Sequence, residues 1–148
     1  MFNIRAVQKD DWHSWCHLYK KYLDFYKTSL TQEQLQTVWN WIFDHQIYCY
    51  VATQENNLIG LVHFREFLRP IKATTGVFMD DLFVEPECRG HGIGQELINR
   101  VELFSQERNI PVVRWFTNVD NHDAMKMYDK VAFKTQWVTY DLIVERQA

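Results

Sequence analysis

A cluster of glycines past the middle of the chain has the composition of an anion-binding loop. Three of the five glycines, Gly90, Gly92 and Gly94, fall within five residues. The apolar run 82–84 precedes them, and a helix-like run starts near Ile93. Glycine lets the backbone approach a ligand, and the first turn of a helix carries N–H groups without a partner in the helix. The pattern predicts a phosphate site built from backbone, with a plain turn as the alternative.

The spacing excludes two familiar phosphate loops. A P-loop requires a Gly-Lys pair, and the chain has none. A dinucleotide fingerprint requires Gly-x-Gly-x-x-Gly, whereas the residue three after Gly92 is Gln95. The pattern that remains is Arg89-x-x-Gly92-x-Gly94, directly after a predicted strand that ends at Val84.

This loop and the runs around it resemble the GNAT N-acetyltransferases. The pyrophosphate loop of that family reads Arg/Gln-x-x-Gly-x-Gly/Ala, as residues 89–94 do here. Residues 79–86 are similar to its fourth strand, which reads acidic, acidic, apolar, aromatic and Val before Pro. Residues 121–133 are similar to its second cofactor motif, although Ala132 stands where Gly is common. The fourth strand and the run 115–118 are most similar to the branch of polyamine and histone acetyltransferases.

The resemblance implies that the cofactor is acetyl-CoA and that its pyrophosphate lies on backbone N–H groups of the loop, where the helix dipole favours an anion. Arg89 either adds positive charge or braces the loop. Backbone N–H groups near Phe83 and Val84 are expected to polarise the thioester oxygen. Asn121 is expected to hydrogen-bond the amide arm of the cofactor, or else only to start a helix. The implied cofactor-binding residues are Leu82, Phe83, Val84, Arg89, Gly90, His91, Gly92, Ile93, Gly94, Asn121 and Ala124.

The acceptor is expected to be an amine, which has to lose a proton before it attacks. A lysine-like amine has a pKa near ~10.4 and is mostly protonated at neutral pH. Asp80 and Asp81 are adjacent in a predicted strand, so their side chains are expected on opposite faces, with only one facing a given cleft. The resemblance implies that Asp80 is the base or the amine anchor. Relatives often carry Glu there, and the shorter Asp favours a water relay. The alternative is that both carboxylates only bind loop N–H groups or an arginine.

The departing CoA thiolate needs a proton, and the resemblance implies that Tyr128 donates it as the general acid. The alternative is a core tyrosine, because Ala124, Tyr128 and Val131 fall on one helical face.

Three further residues are weaker predictions for the acceptor site. Asp81 and Asp24 could hold a cationic substrate, although solvated charge is the simpler interpretation of Asp24. Trp39 could line the pocket. The aromatic stripe over residues 12–26 has the spacing of a core-facing helix, and any remainder is expected to wall the acceptor pocket.

The hydrophobic periodicity orders the elements as βααβββαβα, followed by one strand or a strand pair over residues 133–144. This order predicts an α/β fold whose mixed, mostly antiparallel sheet of six or seven strands has helices on both faces. The resemblance adds that the central strands splay apart after the fourth, which leaves room for the cofactor arm.

Composition limits the class of protein. The length of 148 residues and 47% hydrophobic content predict one domain over residues 1–148. No run approaches the ~20 apolar residues of a membrane span, and a net charge of −3 gives no case for nucleic-acid binding. Three separated cysteines form no disulfide framework, and no metal-ligand spacing is present, which favours a reducing cytoplasm.

The sequence therefore predicts an N-acetyltransferase that moves acetyl from acetyl-CoA to a primary amine by direct attack in a ternary complex. The amine is a polyamine-like small molecule or a lysine side chain, and the protein is expected to be a homodimer. The alternatives are a non-catalytic CoA-binding sensor or interaction module, and an acyltransferase for another acyl group or acceptor.

Overall fold

The computed structural model describes residues 1–146 of the chain. Its strands are β1 (Asn3–Ala6), β2 (Tyr48–Gln54), β3 (Asn57–Arg69), β4 (Thr74–Val84) and β5 (Val113–Trp115), and its helices are α1 (Trp12–Phe25), α2 (Gln32–Phe43), α3 (Ile93–Glu107) and α4 (His122–Val131). The chain folds as two compact units, Met1–Phe116 and the segment from Thr117 onward. No described helix has the length and apolar character needed to cross a membrane.

The sheet lies in the first unit and has the order β1-β2-β3-β4-β5. The first four strands pair antiparallel, and β5 pairs with β4 in parallel. That parallel pairing covers only Val77–Met79 of β4, which continues to Val84 paired with β3 alone. The pairing of β4 with β5 therefore ends at Met79, and the splay that the resemblance implies stays a prediction.

Helices cover both faces of this sheet, as predicted. On one face, α1 and α2 place Trp15, Leu35 and Trp39 in a core that includes Val51 of β2 and Leu61 of β3. On the opposite face, the buried side of α3 packs on the sheet, with Phe104 and Phe64 ring centroids 4.9 Å apart. The predicted stripe of α3, Ile93, Leu97, Val101 and Phe104, is buried throughout.

Local capping sets the start of α2, and hydrogen bonds to Asp11 hold the turn before α1. The Thr31 hydroxyl accepts from the N–H of Gln34 at 3.1 Å, and the Gln34 side chain accepts from the N–H of Thr31 at 2.8 Å. This reciprocal pair fixes the start of α2 at Gln32. Asp11 precedes α1, and its carboxylate accepts from the Gln8 N–H and from Arg5 at 2.7 Å each.

The prediction of six or seven strands is wrong, since the described residues contain five. Residues 133–146 form no strand, and their apolar side chains, including Trp137 and Tyr140, are largely exposed. Alternating β-branched and aromatic residues give an extended preference, but a strand also requires a neighbour that accepts and donates its backbone hydrogen bonds.

Candidate active site

A β-bulge places Asp80 and Asp81 on the same face of the sheet. His63 pairs with Asp81 and Phe64 with Met79, so Asp80 is an extra residue in β4. Asp81 bonds to His63, and Asp80 accepts from Nε of Arg65 at 3.1 Å to each oxygen. His63 and Arg65 are two apart on β3 and share a face. The prediction of opposite faces is therefore wrong, because the bulge interrupts the alternation.

The Asp81 carboxylate is held by side chains of β3 and α1. His63 Nδ1 lies 2.8 Å from Asp81 Oδ2, and the Tyr19 hydroxyl donates to the same oxygen at 3.0 Å. Burial alone would raise the pKa of Asp81, but hydrogen bonds from His63, Tyr22 and Tyr19 hold that pKa below its usual value. Burial and the nearby carboxylate raise the pKa of both tyrosines far above the ordinary range, so both remain donors.

The environment of Asp80 shifts its pKa in the opposite direction from that of Asp81. Burial raises the pKa of the Asp80 carboxyl above its usual value, although the Arg65 guanidinium opposes the shift. About a third of the side chain is exposed (32%), so water reaches it. Adjacent carboxylates on one face thus have pKa values pushed apart, Asp81 downward and Asp80 upward.

The hydrogen-bond chain behind Asp81 continues to Trp15, whose Nε1 donates to His63 Nε2 at 3.0 Å. The two side chains are buried, with 0% of Trp15 and 1% of His63 exposed. No local pattern marks this pair, because the two residues are 48 apart and His63 has no ligand spacing. Only the aromatic stripe of α1 pointed to this face.

The glycine loop has the backbone conformation of an anion site. Gly90 and Gly92 have φ values of +85° and +82°, which other residues adopt only with strain. A Cβ built at either glycine meets no atom within 4 Å, so there is space beside the loop. The Glu96 N–H bonds to the Gly92 carbonyl at 3.0 Å, so the three preceding N–H groups, of residues 93–95, have no partner in the helix.

Arg89 braces this loop, which is one of the two roles that the sequence left open. Its Nε donates to the carbonyl of Val84 at 2.9 Å, and its guanidinium lies 5.5 Å from the ring centroid of Phe83. Arg89 therefore ties the loop back to the end of β4.

The end of β4 offers backbone groups on its open edge. The Glu85 N–H donates to the Ile59 carbonyl at 2.8 Å. Antiparallel alternation then directs the backbone groups of Phe83 toward β3 and those of Leu82 and Val84 toward the edge that β5 has left. Of the expected thioester donors, Val84 faces this edge and Phe83 does not.

An ion pair and an open cavity lie next to the glycine loop in the first unit. Glu85 is buried and pairs with Lys21 of α1 at 2.8 Å. An open cavity of about 590 Å³ lies against the start of α3, and its lining includes His91, Gly92 and Arg100.

Two predicted acceptor residues are not among the hydrogen-bond partners of Asp80 and Asp81. Asp24 is exposed near the end of α1. Trp39 is 7% exposed, with ring centroids 5.3 Å from Trp12 and 5.0 Å from Trp15, so it packs in the core.

The second predicted motif forms α4 and its start, in the second unit. The side chain of Asn121 donates to the Thr117 hydroxyl at 3.2 Å. The backbone carbonyl of Asn121 accepts from the Met125 N–H at 3.0 Å. Asn121, Ala124 and Tyr128 share a half-buried face of the helix. Their roles toward cofactor and acceptor stay predictions. Ala132 has a φ of −149°, so its conformation does not require the usual glycine.

Comparison with known proteins adds a family match and a common fold. The model of the Acetyltransferase (GNAT) family matches residues 12–133. The D-amino-acid N-acetyltransferase HPA3 of Saccharomyces cerevisiae is 32% identical over 141 residues, which cover 93% of this chain and 88% of that protein.

Two solved structures share the fold at low sequence identity. The ribosomal-protein-alanine N-acetyltransferase from Brucella melitensis biovar Abortus 2308 has a TM-score of 0.82 at 20% identity, covering 97% of this chain and 99% of that one. AAC(6')-Iy, in complex with the bisubstrate analogue CoA-S-monomethyl-acetylneamine, has a TM-score of 0.80 at 18% identity, covering 100% and 99% of the two chains.

Proposed function

This chain belongs to the GNAT acetyltransferase family and is an acetyl-CoA-dependent N-acetyltransferase, and we propose that its acceptor is a primary amine that binds as an ammonium ion beside Asp81. The observation that carries the proposal is the bulge at Asp80, which brings two carboxylates with opposite pKa shifts onto one face. Neighbouring groups whose pKa values are pushed apart are suited to different tasks. Asp81 stays ionised and anchors the ammonium, and Asp80 is the base.

The glycine loop and the open edge of β4 are suited to the acetyl donor. The N–H groups at the start of α3 would hold the pyrophosphate, and the empty space beside Gly90 and Gly92 gives it room. The edge groups of Leu82 and Val84 would hold the amide arm and polarise the thioester oxygen. Acetyl-CoA supplies an acetyl group activated as a thioester.

The residues of the chain then control where protons reside. Asp81 holds the ammonium nitrogen near the acetyl donor, in one complex with both substrates. Asp80 takes a proton from that nitrogen through water, and its raised pKa makes it a stronger base than an ordinary aspartate. Tyr128 is the proposed acid that protonates the departing sulfur.

The role of Asp80 is tested by the pH dependence of kcat/KM in Asp80→Asn. We expect the variant to require higher pH, because the amine must then lose its proton to solvent. Asp24→Asn is the matched control, since Asp24 is exposed and lies outside the paired carboxylates. An unchanged profile in Asp80→Asn would remove Asp80 as the base.

The role of Tyr128 is tested by Tyr128→Phe, which removes the hydroxyl and keeps the ring. General acid catalysis contributes about 100-fold or more, so kcat should fall by that factor while acetyl-CoA affinity changes little. Equal losses in kcat and in affinity, measured by steady-state kinetics and calorimetry, would contradict the acid role.

The acceptor class within this proposal is a polyamine-like molecule or a lysine side chain, as in the polyamine and histone branch. Support comes from the two carboxylates on one face and from the net charge of −3. Polyamines and lysines present an ammonium group on a flexible apolar stem, which suits the partly exposed ring of Tyr22 beside Asp81.

An amino acid is the second candidate acceptor, and Arg65 is the observation that favours it. Its hydrogen bonds to Asp80 use only Nε, and 45% of its side chain is exposed. The terminal amino groups could therefore hold a carboxylate while Asp81 holds the ammonium. The relative HPA3 is named a D-amino-acid N-acetyltransferase.

The two acceptor classes are separated by comparing D- and L-amino acids with their decarboxylated amines. If the acceptor is an amino acid, Arg65→Gln should lower kcat/KM for it and leave the decarboxylated amine nearly unaffected. Equal effects on both would show that Arg65 acts through Asp80 and would favour the polyamine or lysine class.

A homodimer of single-domain chains in a reducing cytoplasm completes the proposal. The exposed apolar side chains of residues 133–146 support association, and the free cysteines, Cys16, Cys49 and Cys88, suit a reducing compartment. Light scattering at several concentrations should give twice the chain mass of 17.9 kDa. A constant monomer mass would contradict the dimer.

A further inference from the structure

A line of buried hydrogen bonds behind Asp81 has no part in the mechanism above. It runs from Trp15 Nε1 to His63 Nε2 at 3.0 Å and from His63 Nδ1 to Asp81 Oδ2 at 2.8 Å. It joins α1, β3 and β4, and its inner members are shielded from water. Only its outer end, Asp81, keeps an exposed fraction, 18% of the side chain.

The hydrogen-bond donors along this line determine which ring nitrogen of His63 carries the proton. An indole N–H can only donate, so His63 Nε2 must accept and carry no proton. The proton of the neutral ring then resides on Nδ1, which donates it to the Asp81 carboxylate. A second proton on Nε2 would face the Trp15 N–H at hydrogen-bond distance and break that bond.

The groups around His63 include some that favour its protonated form and some that oppose it. The carboxylates of Asp81 and Asp80 favour an imidazolium, and Arg65 offsets the second of them through its ion pair. Burial opposes the imidazolium, but the Cys49 thiol and the Asp81 carboxylate outweigh burial and raise the pKa of His63. The indole N–H of Trp15, aimed at Nε2, is the group that stands against a second proton on the ring. The polar groups that face the ring from the neighbouring elements are Trp15, Tyr19 and Tyr22 of α1, Cys49 of β2, and Asp80 and Asp81 of β4. Among them, the indole alone has a fixed donor aimed at Nε2.

We propose that His63 is a positioning residue for acceptor binding: Trp15 locks it as the neutral Nδ1–H tautomer, and the locked ring holds Asp81 as a charged carboxylate aimed at the acceptor's ammonium group. This inference rests on the proposed function of Asp81. A neutral donor orients the carboxylate without cancelling its charge, whereas an imidazolium would neutralise it. The site therefore selects cationic acceptors over a wide pH range.

The tautomer is measured directly by nitrogen NMR of histidine-labelled protein, with His63→Gln to assign the signal. Between about pH 6 and 8, where free histidine titrates, we expect a protonated Nδ1 and an unprotonated Nε2 throughout. A proton on Nε2, or titration of the ring within that range, would overturn the proposal. This measurement needs no acceptor, so its outcome is independent of whether the proposed acetyl transfer is correct.

Kinetics of three variants then separate positioning from packing. Trp15→Phe frees Nε2, so the acceptor KM should rise roughly tenfold as pH falls from 8 to 6, the size expected when a charged hydrogen bond is lost. His63→Gln keeps a donor and an acceptor but cannot titrate, and it should keep a near wild-type KM without that pH dependence. His63→Leu should raise the acceptor KM at every pH.

Acetyl-CoA affinity and thermal midpoint are measured for each variant as controls for folding. Failure of His63→Gln to outperform His63→Leu, with both folded, would show that only packing matters at this position and would overturn the proposal. A Trp15→Phe profile parallel to that of the wild type would also overturn it. If Trp15→Phe does not fold, the tautomer measurement on the unmodified protein still decides.

Discussion

We propose that the loop before α3 and the carboxylate face beneath α1 recognise ligands with different parts of the chain. In the loop, the groups proposed to bind are backbone N–H groups, and the side chains matter through the conformations that they permit. On the carboxylate face, the groups are side chains of α1, β3 and β4, joined by buried hydrogen bonds. One region depends on local conformation and the other on tertiary packing.

This difference has a consequence for specificity. A backbone site binds a phosphate of any acyl-CoA, because it reads charge and shape near the loop. A side-chain site can distinguish acceptors, because charge, hydrogen bonding and aromatic surface are set residue by residue. Substitutions in the two regions should therefore affect different substrates, and each prediction below tests that separation.

The largest expected effect is that of Asp81→Asn on the acceptor. Loss of a partly buried charge partner should lower kcat/KM for the acceptor by about 100-fold, while acetyl-CoA affinity stays within about twofold because the loop is untouched. Steady-state kinetics and calorimetry measure the two quantities. A parallel loss of acetyl-CoA affinity would show that the two regions are not separate.

A smaller effect, on acetyl-CoA rather than on the acceptor, is expected for Gly92→Ala. Alanine at a φ of +82° costs about 1–2 kcal/mol, so acetyl-CoA affinity should fall roughly tenfold with little change in acceptor KM. Gly94→Ala is the matched control, since Gly94 lies within α3 and alanine favours a helix. Equal losses in both variants would point to crowding by the methyl group rather than to backbone conformation.

The smallest expected effect concerns stability and pH. The pKa of Asp81 is lowered in the folded protein, so its stabilising contribution is present above the unfolded pKa of about 3.9 and is lost as pH falls through the lower folded value. Asp81→Asn should therefore cost about 1–2 kcal/mol near neutral pH and progressively less in acid. Thermal midpoints of the wild type, Asp81→Asn and Gly92→Ala measure this. A pH-independent difference for Asp81→Asn would contradict the charged hydrogen bonds.

The same contrast explains what the sequence could predict. The loop occupies consecutive residues, so its glycines and the start of α3 were readable, and both are confirmed. The side-chain network joins Trp15, His63 and Asp81, separated by 48 and 18 residues. Its partners are set by strand register and helix packing, which composition and spacing do not encode.

Two sequence-based predictions are wrong for the same reason, because each depends on how distant parts of the chain pair. The bulge at Asp80 follows from the pairing of β3 with β4, and no local pattern marks it. The expected strands over residues 133–144 have the right side-chain alternation, but strand formation also depends on a pairing partner. Local preferences are sufficient for the start of α2 and for the β2–β3 hairpin, where the stabilising contacts lie within a few residues.

The most direct test of the account is thiol release from acetyl-CoA with spermidine, lysine peptides and amino acids as acceptors. The account predicts turnover with at least one cationic primary amine, strongly reduced in Asp81→Asn even though that variant still binds acetyl-CoA. Tight cofactor binding with no thiol released for any amine, even in a single turnover, would contradict the account and favour a CoA-binding sensor.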